Sequence, residues 1–196
     1  ALASSLASVL PSMAPYPASV AQFSKRGGPY QAGETFRQLA LARTLERIAE
    51  QGPAGFYEGE TADLIVRDME ANGGLITYAD LEAYRAQRRS ALVGTYRGYE
   101  IVSMPPVSSG GTAVIQMLNI LEGYNLAASG AGSAATTHLL IEAMRRAYAD
   151  RARYLGDPLF NPNLPIDRLT SKAYAERLRR TITLERASVS SPESFV

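Results

Sequence analysis

The residues with the clearest potential for chemistry lie at 105–111, where two prolines precede two serines and two glycines. The prolines favour an extended approach, so Ser108 and Ser109 would stand where the first N–H groups of a helix lack partners. Gly110 and Gly111 would let a ligand or another backbone come close. A carboxylate or phosphate could bind at such a helix start. We favour the alternative, in which a serine caps the helix and the glycines permit tight packing.

The second candidate is His138, the only histidine of the chain. A Ser–His–Asp relay would have to join it to Ser108 or Ser109 and to an acid such as Asp150. Asp150 follows 12 residues later in the same predicted helix, and the two are therefore about 18 Å apart. No G-x-S-x-G motif is present to hold a nucleophile on a strained turn. We therefore expect His138 to be a surface or packing residue.

A loose dinucleotide-binding pattern, G-x-G-x-x-A, occurs at 130–135. That motif needs a preceding strand and an acidic residue after a second strand. Here a helix end precedes it, and Asp150 lies inside a helix, so a turn followed by a helix cap is the better interpretation. The neighbouring charges Asp150 and Arg151 fit either a buried polar network or a solvated face.

The composition excludes several classes of site. The absence of cysteine removes disulfides, thiol nucleophiles and the usual Cys/His zinc sites, and no cofactor or metal is predicted. A formal charge of +1 gives no support for a nucleic-acid partner. The uncharged opening up to Ser24 is interrupted by Pro11, Pro15 and Pro17. Its longest apolar run is far below the roughly 20 residues of a membrane span.

The elements that must position these residues are mostly helical. One β-hairpin is predicted at 91–104, with a turn at Arg97–Gly98. Helices are predicted at 36–50, 57–71, 77–84, 112–122, 134–155 and 171–180. We treat 1–196 as a single structural unit, with 1–24 and 186–196 as peripheral or flexible ends.

Two of these helices have predicted interior faces. For helix 134–155 the apolar spacing selects four residues: Leu140, Met144, Ala147 and Tyr148. For helix 57–71 it selects three: Leu64, Ile65 and Met69. Residues 72–74, Asn-Gly-Gly, provide a C-cap for the earlier helix, and Thr77–Asp80 reads as a capping box for the next one.

Three segments strongly resemble the γ-glutamyltranspeptidase family. They are Asn-Gly-Gly-Leu-Ile-Thr at 72–77, Pro-Pro-Val-Ser-Ser-Gly-Gly at 105–111, and the Ala-Asp-Arg…Leu-Gly-Asp-Pro run at 149–158. The resemblance is collinear over about residues 20–185. Two departures stand out: Val107 replaces a third proline, and Leu39 replaces a proline frequent after Gln38.

The resemblance implies a mostly helical α/β (α+β) segment of an N-terminal-nucleophile hydrolase, a four-layer αββα sandwich. Such precursors cleave themselves into a large and a small subunit, and the freed N-terminal threonine of the small subunit is the nucleophile. This chain resembles the C-terminal part of the large subunit and approaches the cleavage point near its end. No catalytic or substrate-binding residue is carried over. Ser108, Ser109, Gly110 and Gly111 are expected only as a structural motif near the site.

The implied activity is transfer or hydrolysis of the γ-glutamyl group of glutathione or a related amide. The implied partners are the small subunit and that substrate, with no cofactor, and the implied location is periplasmic or extracellular. Two alternatives stay open. One is a related acylase or poly-γ-glutamate depolymerase of the same fold. The other is a non-catalytic helical assembly or binding module.

Overall fold

The structure, a computed structural model, describes residues 1–189. Backbone contacts divide it into two compact units, one comprising Ala1–Ala86 and the other beginning at Gln87. The two units are described separately, and the single structural unit over 1–196 stays a prediction. Most of the predicted C-terminal end, residues 190–196, lies outside the described residues.

The regular elements of the first unit are all helices. Its elements are α1 Leu2–Val9, a 3₁₀ helix Leu10–Met13, α2 Pro17–Phe23, α3 Leu39–Gln51, α4 Ala54–Tyr57, α5 Gly59–Asn72 and α6 Tyr78–Ala83. Within 1–24, predicted to be peripheral, only Ser24 is buried. α3 begins three residues later than predicted, because Gln38 has a non-helical backbone.

The predicted C-cap of α5 and the predicted capping box of α6 are confirmed, although α5 begins at Gly59 and not at Tyr57. Gly73 terminates α5 in the left-handed conformation, with φ 71°, which glycine adopts without steric cost. Thr77 and Asp80 form the reciprocal capping box of α6.

The predicted interior face of α5 is confirmed in part. Ile65 packs against a small core of Ala62, Val66 and Leu81, and Met69 is half-buried, whereas Leu64 is 52% exposed.

The second unit combines the hairpin with the remaining helices. Its elements are β1 Leu92–Tyr96, β2 Tyr99–Ser103, α7 Gly110–Leu121, α8 Leu126–Ser129, α9 Ala134–Tyr154, α10 Ile166–Leu169 and α11 Lys172–Arg179. The strands pair antiparallel, with Tyr96 opposite Tyr99, which confirms the hairpin. Gly94 lies against Ile115 of α7 so closely that a Cβ atom would be 2.7 Å from its side chain.

The core of this unit lies between α7, α9 and α11. Ile120, Ala143 and Ala175 are fully buried there. The predicted apolar stripe of α9 is wrong except at Ala147, because Leu140, Met144 and Tyr148 are exposed. The buried face instead carries three charged residues, Glu142, Arg146 and Asp150. The helix itself is therefore confirmed, but the apolar pattern predicted the wrong face of α9 to be buried.

Candidate functional site

The helix start at 108–111 is built around a contact between α7 and α9. The hydroxyl oxygen of Ser109 accepts a hydrogen bond from Nε of Arg151 at 2.8 Å. Ser109 occupies the N-cap position of α7 but makes no side-chain capping bond, so the predicted serine cap is wrong for this residue. Ser108 accepts a hydrogen bond from the backbone N–H of Gly110 at 3.3 Å.

The two glycines have different surroundings. A Cβ atom on Gly111 would lie 2.1 Å from the carbonyl oxygen of Met104 and 2.9 Å from the hydroxyl of Ser103, whereas one on Gly110 would meet only Ser108 Oγ at 3.5 Å. The tight packing expected of the glycines is therefore found at Gly111. It brings the start of α7 directly against the end of β2.

A buried carboxylate links the same two helices further along. Asp150 accepts hydrogen bonds from the hydroxyl of Tyr174, at 3.0 and 2.9 Å to its two oxygens. It also accepts one from the side-chain amide of Gln116. Asp150 thus belongs to a buried polar network, while its neighbour Arg151 is exposed. Two of the motifs that carry the family resemblance, those at 105–111 and 149–158, meet through the hydrogen bond between Arg151 and Ser109.

The environment of Tyr174 keeps its phenol neutral. Burial, the hydrogen bond to Asp150 and the charge of Asp150 together raise the pKa of Tyr174 to about 12. The guanidinium group of Arg168 lies 5.2 Å from the centre of its ring and opposes that rise. The phenol therefore acts as a fixed hydrogen-bond donor to the buried carboxylate.

Replacing Tyr174 with phenylalanine should lower the free energy of unfolding by about 1–2 kcal/mol at pH 7, because Asp150 loses a donor to its charged form. The raised pKa gives the sign of the pH dependence. The contribution of Tyr174 is fully present below pH 10, the ordinary tyrosine value, and is lost as pH rises towards 12. Urea unfolding of both proteins between pH 7 and 12 tests this. A difference that stays constant across that range would contradict it.

A second buried polar cluster surrounds Glu142 and Arg146, whose side chains are completely buried. Arg146 Nη1 lies 2.7 Å from Glu142 Oε2. Burial raises the pKa of the Glu142 carboxyl, but hydrogen bonds from Ser188 and Arg146 and the charge of Arg146 outweigh it, so that the pKa is lowered. The two residues are four positions apart on α9, but nothing in the local sequence indicates that they are buried.

Sequence reasoning missed the cluster around Glu142 and Arg146, and it left open whether Asp150 belongs to a buried network. A usable signal was present in α7, where the buried polar residues Thr112, Gln116 and Asn119 recur at i, i+4 and i+7. A matching signal in α9 is Glu142, Arg146 and Asp150 at i, i+4 and i+8. Polar residues at the helical period, in helices that are otherwise apolar on that side, indicate a shared polar interior.

The other two candidates behave as expected. His138 is partly exposed, and its Nε2 lies 2.8 Å from the carbonyl oxygen of Thr183. The glycine pattern at 130–135 forms a turn after α8, with Gly130 and Gly132 at positive φ. Ser133 then caps α9 by accepting the N–H of Thr136 at 3.1 Å.

Over residues 1–189, no group of three or more His, Cys, Asp or Glu side chains is arranged to hold a metal ion. No helix in that range is long and apolar enough to cross a membrane. In the second unit, α7, α9 and α11 pack together around two buried polar clusters.

Comparisons with known proteins agree with the motifs. A family model described as Gamma-glutamyltranspeptidase matches residues 1–195. The glutathione hydrolase proenzyme of Escherichia coli (strain K12) is 48% identical over 173 residues, 88% of this chain and 30% of that protein. The acylase ACY 1 proenzyme of Pseudomonas sp. (strain V22) is 45% identical over 171 residues, 87% of this chain and 30% of that protein. The chain therefore spans about a third of the length of these relatives.

The fold agrees as well. The crystal structure of Helicobacter pylori gamma-glutamyltranspeptidase superposes with a TM-score of 0.90 at 44% identity, covering 96% of this chain and 54% of that one. The family model, the relatives and the fold thus coincide over nearly the whole sequence. This chain belongs to the γ-glutamyltranspeptidase family.

Proposed function

We propose that this chain is the C-terminal part of the large subunit of a γ-glutamyltranspeptidase-type enzyme. The observation that carries the proposal is the collinear match of 88% of the chain to 30% of a glutathione hydrolase proenzyme. The absence of an assembled catalytic set among the described residues agrees with a supporting segment. In this proposal the chain occupies part of an αββα sandwich, and the remaining layers come from elsewhere in the precursor.

The proposed reaction follows the logic of an N-terminal threonine outside this chain. The α-amino group of that threonine takes the proton of its own hydroxyl, and the oxygen attacks the γ-carbonyl carbon of glutathione or a related amide. The amide bond breaks, the leaving amine takes up a proton, and an acyl-threonine ester remains. Water or an amino acid then attacks the ester and releases glutamate or a new γ-glutamyl compound. No cofactor takes part.

The role of this chain is to provide a rigid support and a surface for its partner. Exposed apolar side chains of α9 include Ile141, Met144 and Tyr148, and Val93 and Val102 form an exposed cross-strand pair on the hairpin. Covering such side chains is favourable by about 25 cal/mol per Å² of apolar surface. We propose that the remainder of the precursor, including the small subunit, covers them. A periplasmic or extracellular location is part of the same proposal.

The full-length precursor should split into two chains and hydrolyse γ-glutamyl-p-nitroanilide. We expect its kcat/KM for this substrate to exceed that for a glutaryl amide by about a hundredfold or more. The glutaryl amide keeps the carboxylate but lacks the α-amino group, and a site built to bind that amino group rejects a substrate without it. Residues 1–196 expressed alone are the matched control and should be inactive. Denaturing electrophoresis and release of p-nitroaniline provide the measurements.

The alternatives correspond to different outcomes. The acylase reading is favoured by the 45% identity to an acylase proenzyme and by a structural match, at TM-score 0.84 and 29% identity, to the cephalosporin acylase from Bacillus halodurans. A preference for the glutaryl amide would replace the proposal with that reading. Activity on poly-γ-glutamate alone would identify a depolymerase. A precursor that never splits and never turns over substrate would support a non-catalytic helical module.

A further inference from the structure

The segment that follows α11, residues 181–188, is here called the strap. At its beginning, Arg146 donates to Thr181, from Nε to Oγ1 at 2.8 Å and from Nη2 to the carbonyl oxygen at 2.7 Å. Further along, His138 contacts the carbonyl of Thr183. The last residue, Ser188, reaches Glu142. The strap is therefore held along about two turns of α9.

At Ser188 every polar group is engaged. Its N–H donates to Glu142 Oε1 at 3.0 Å, and its hydroxyl donates to Glu142 Oε2. Its carbonyl oxygen accepts from Nη1 of Arg145. Nη2 of Arg146 also lies 3.3 Å from the serine oxygen. The three side chains Glu142, Arg145 and Arg146 thus form a site that binds both the main chain and the side chain of one serine.

Apolar burial does not explain this arrangement. Ile182 packs against the core at the start of the strap, but Leu184 is 62% exposed and residues 183–187 are exposed. Burying an ion pair carries a desolvation penalty, which is offset only where further hydrogen bonds satisfy the charged groups. Here Ser188 provides several of the hydrogen bonds that satisfy Glu142 and Arg146. The arrangement therefore fixes the position of one point of the main chain.

We propose that Glu142, Arg145 and Arg146 are positioning residues for maturation of the precursor. They hold Ser188, and so set where and in which direction the chain leaves α9 towards the peptide bond that is cut. A segment anchored at one end samples fewer conformations, so its later residues reach a reactive geometry more often. This inference rests on the proposed function, because it requires a precursor that cleaves itself.

The test uses the full-length precursor and the variant Arg145→Ala. The Arg145 side chain is 29% exposed and its ion pair with Glu142 is long, at 3.8 Å, so its loss should leave the fold intact. Arg180→Ala is the matched control, because Arg180 belongs to the same unit, is 76% exposed and pairs only with Glu176 among the interactions of the described chain. Arg145→Lys keeps a charged donor and should therefore split faster than Arg145→Ala. Ser188→Ala removes only the hydroxyl.

We expect the first-order rate of precursor splitting to fall about tenfold in Arg145→Ala, because this variant loses one charge-assisted hydrogen bond to Ser188. A smaller decrease is expected in Ser188→Ala. The midpoint of thermal unfolding should stay within about 2 °C of that of Arg180→Ala. The kcat/KM of the matured fraction should be unchanged, since these residues do not touch substrate.

Splitting of Arg145→Ala at the same rate as Arg180→Ala would overturn the inference. A decrease matched by an equal loss of folded protein would overturn it too, since the role would then be structural. If the wild-type precursor itself does not split, the proposed function fails with it. That failure is visible before any variant is made. It is therefore distinguishable from the case in which the precursor splits but the contacts to Ser188 do not affect the rate.

Discussion

Replacing Arg146 with alanine is expected to lower the free energy of unfolding by about 3–5 kcal/mol, which is the usual cost of removing one partner from a buried ion pair. Glu142 would keep its charge in a fully buried position. Among the described residues, it would retain only the contacts from Ser188 and the long ion pair to Arg145. Thr181 would also lose both hydrogen bonds that it receives from the guanidinium group. Urea denaturation followed by circular dichroism measures the change.

Two comparisons make this prediction specific. Arg153→Ala lies on the same helix, α9, and removes an exposed arginine whose guanidinium carbon is 5.3 Å from the Tyr154 ring, so it should cost less than about 1 kcal/mol. The double replacement Glu142→Met with Arg146→Leu removes both charges and should be much less destabilising than Arg146→Ala. Equal effects of Arg146→Ala and Arg153→Ala would show that the buried pair does not stabilise the fold.

Replacing Gly111 with alanine is expected to destabilise the protein by about 3 kcal/mol, at the upper end of what overpacking costs. The new methyl group would lie 2.1 Å from the carbonyl oxygen of Met104, and a backbone atom cannot rotate out of the way. Either the end of β2 or the start of α7 would have to move. The midpoint of thermal unfolding provides the measurement.

Gly110→Ala is the matched control, one residue earlier in the same helix. A methyl group there meets only Ser108 Oγ at 3.5 Å, an ordinary contact. Since alanine restricts the unfolded chain more than glycine does, this variant should be neutral or more stable by about 0.4–1 kcal/mol. If both variants were equally stable, the close approach of α7 to β2 would not be a constraint on this position.

Features defined by a few neighbouring residues could be predicted from the sequence. The capping box needs only Thr77 and Asp80 three positions apart, and the left-handed C-cap needs only Gly73 after α5. The hairpin likewise follows from two strand-like runs around Arg97–Gly98. Each of these depends on local sterics and hydrogen bonds, which are already present in the isolated segment.

The buried face of α9 could not be predicted in this way. Hydrophobicity selected the face with Leu140, Met144 and Tyr148, whereas the interior holds Glu142 and Asp150. A charged side chain is stable inside a protein only where partners satisfy it. Those partners come from distant segments that no local pattern connects to α9.

The sequence by itself determined the family, the absence of thiol chemistry and the elements whose ends are encoded within a single turn. Only the tertiary structure decided which helix faces are buried, that Ser109 bonds Arg151 in place of capping α7, and that Ser188 is bound by the buried pair on α9. The physical reason is one of range. Backbone conformation depends on adjacent residues, whereas the stability of a buried charge depends on donors and acceptors brought together by folding.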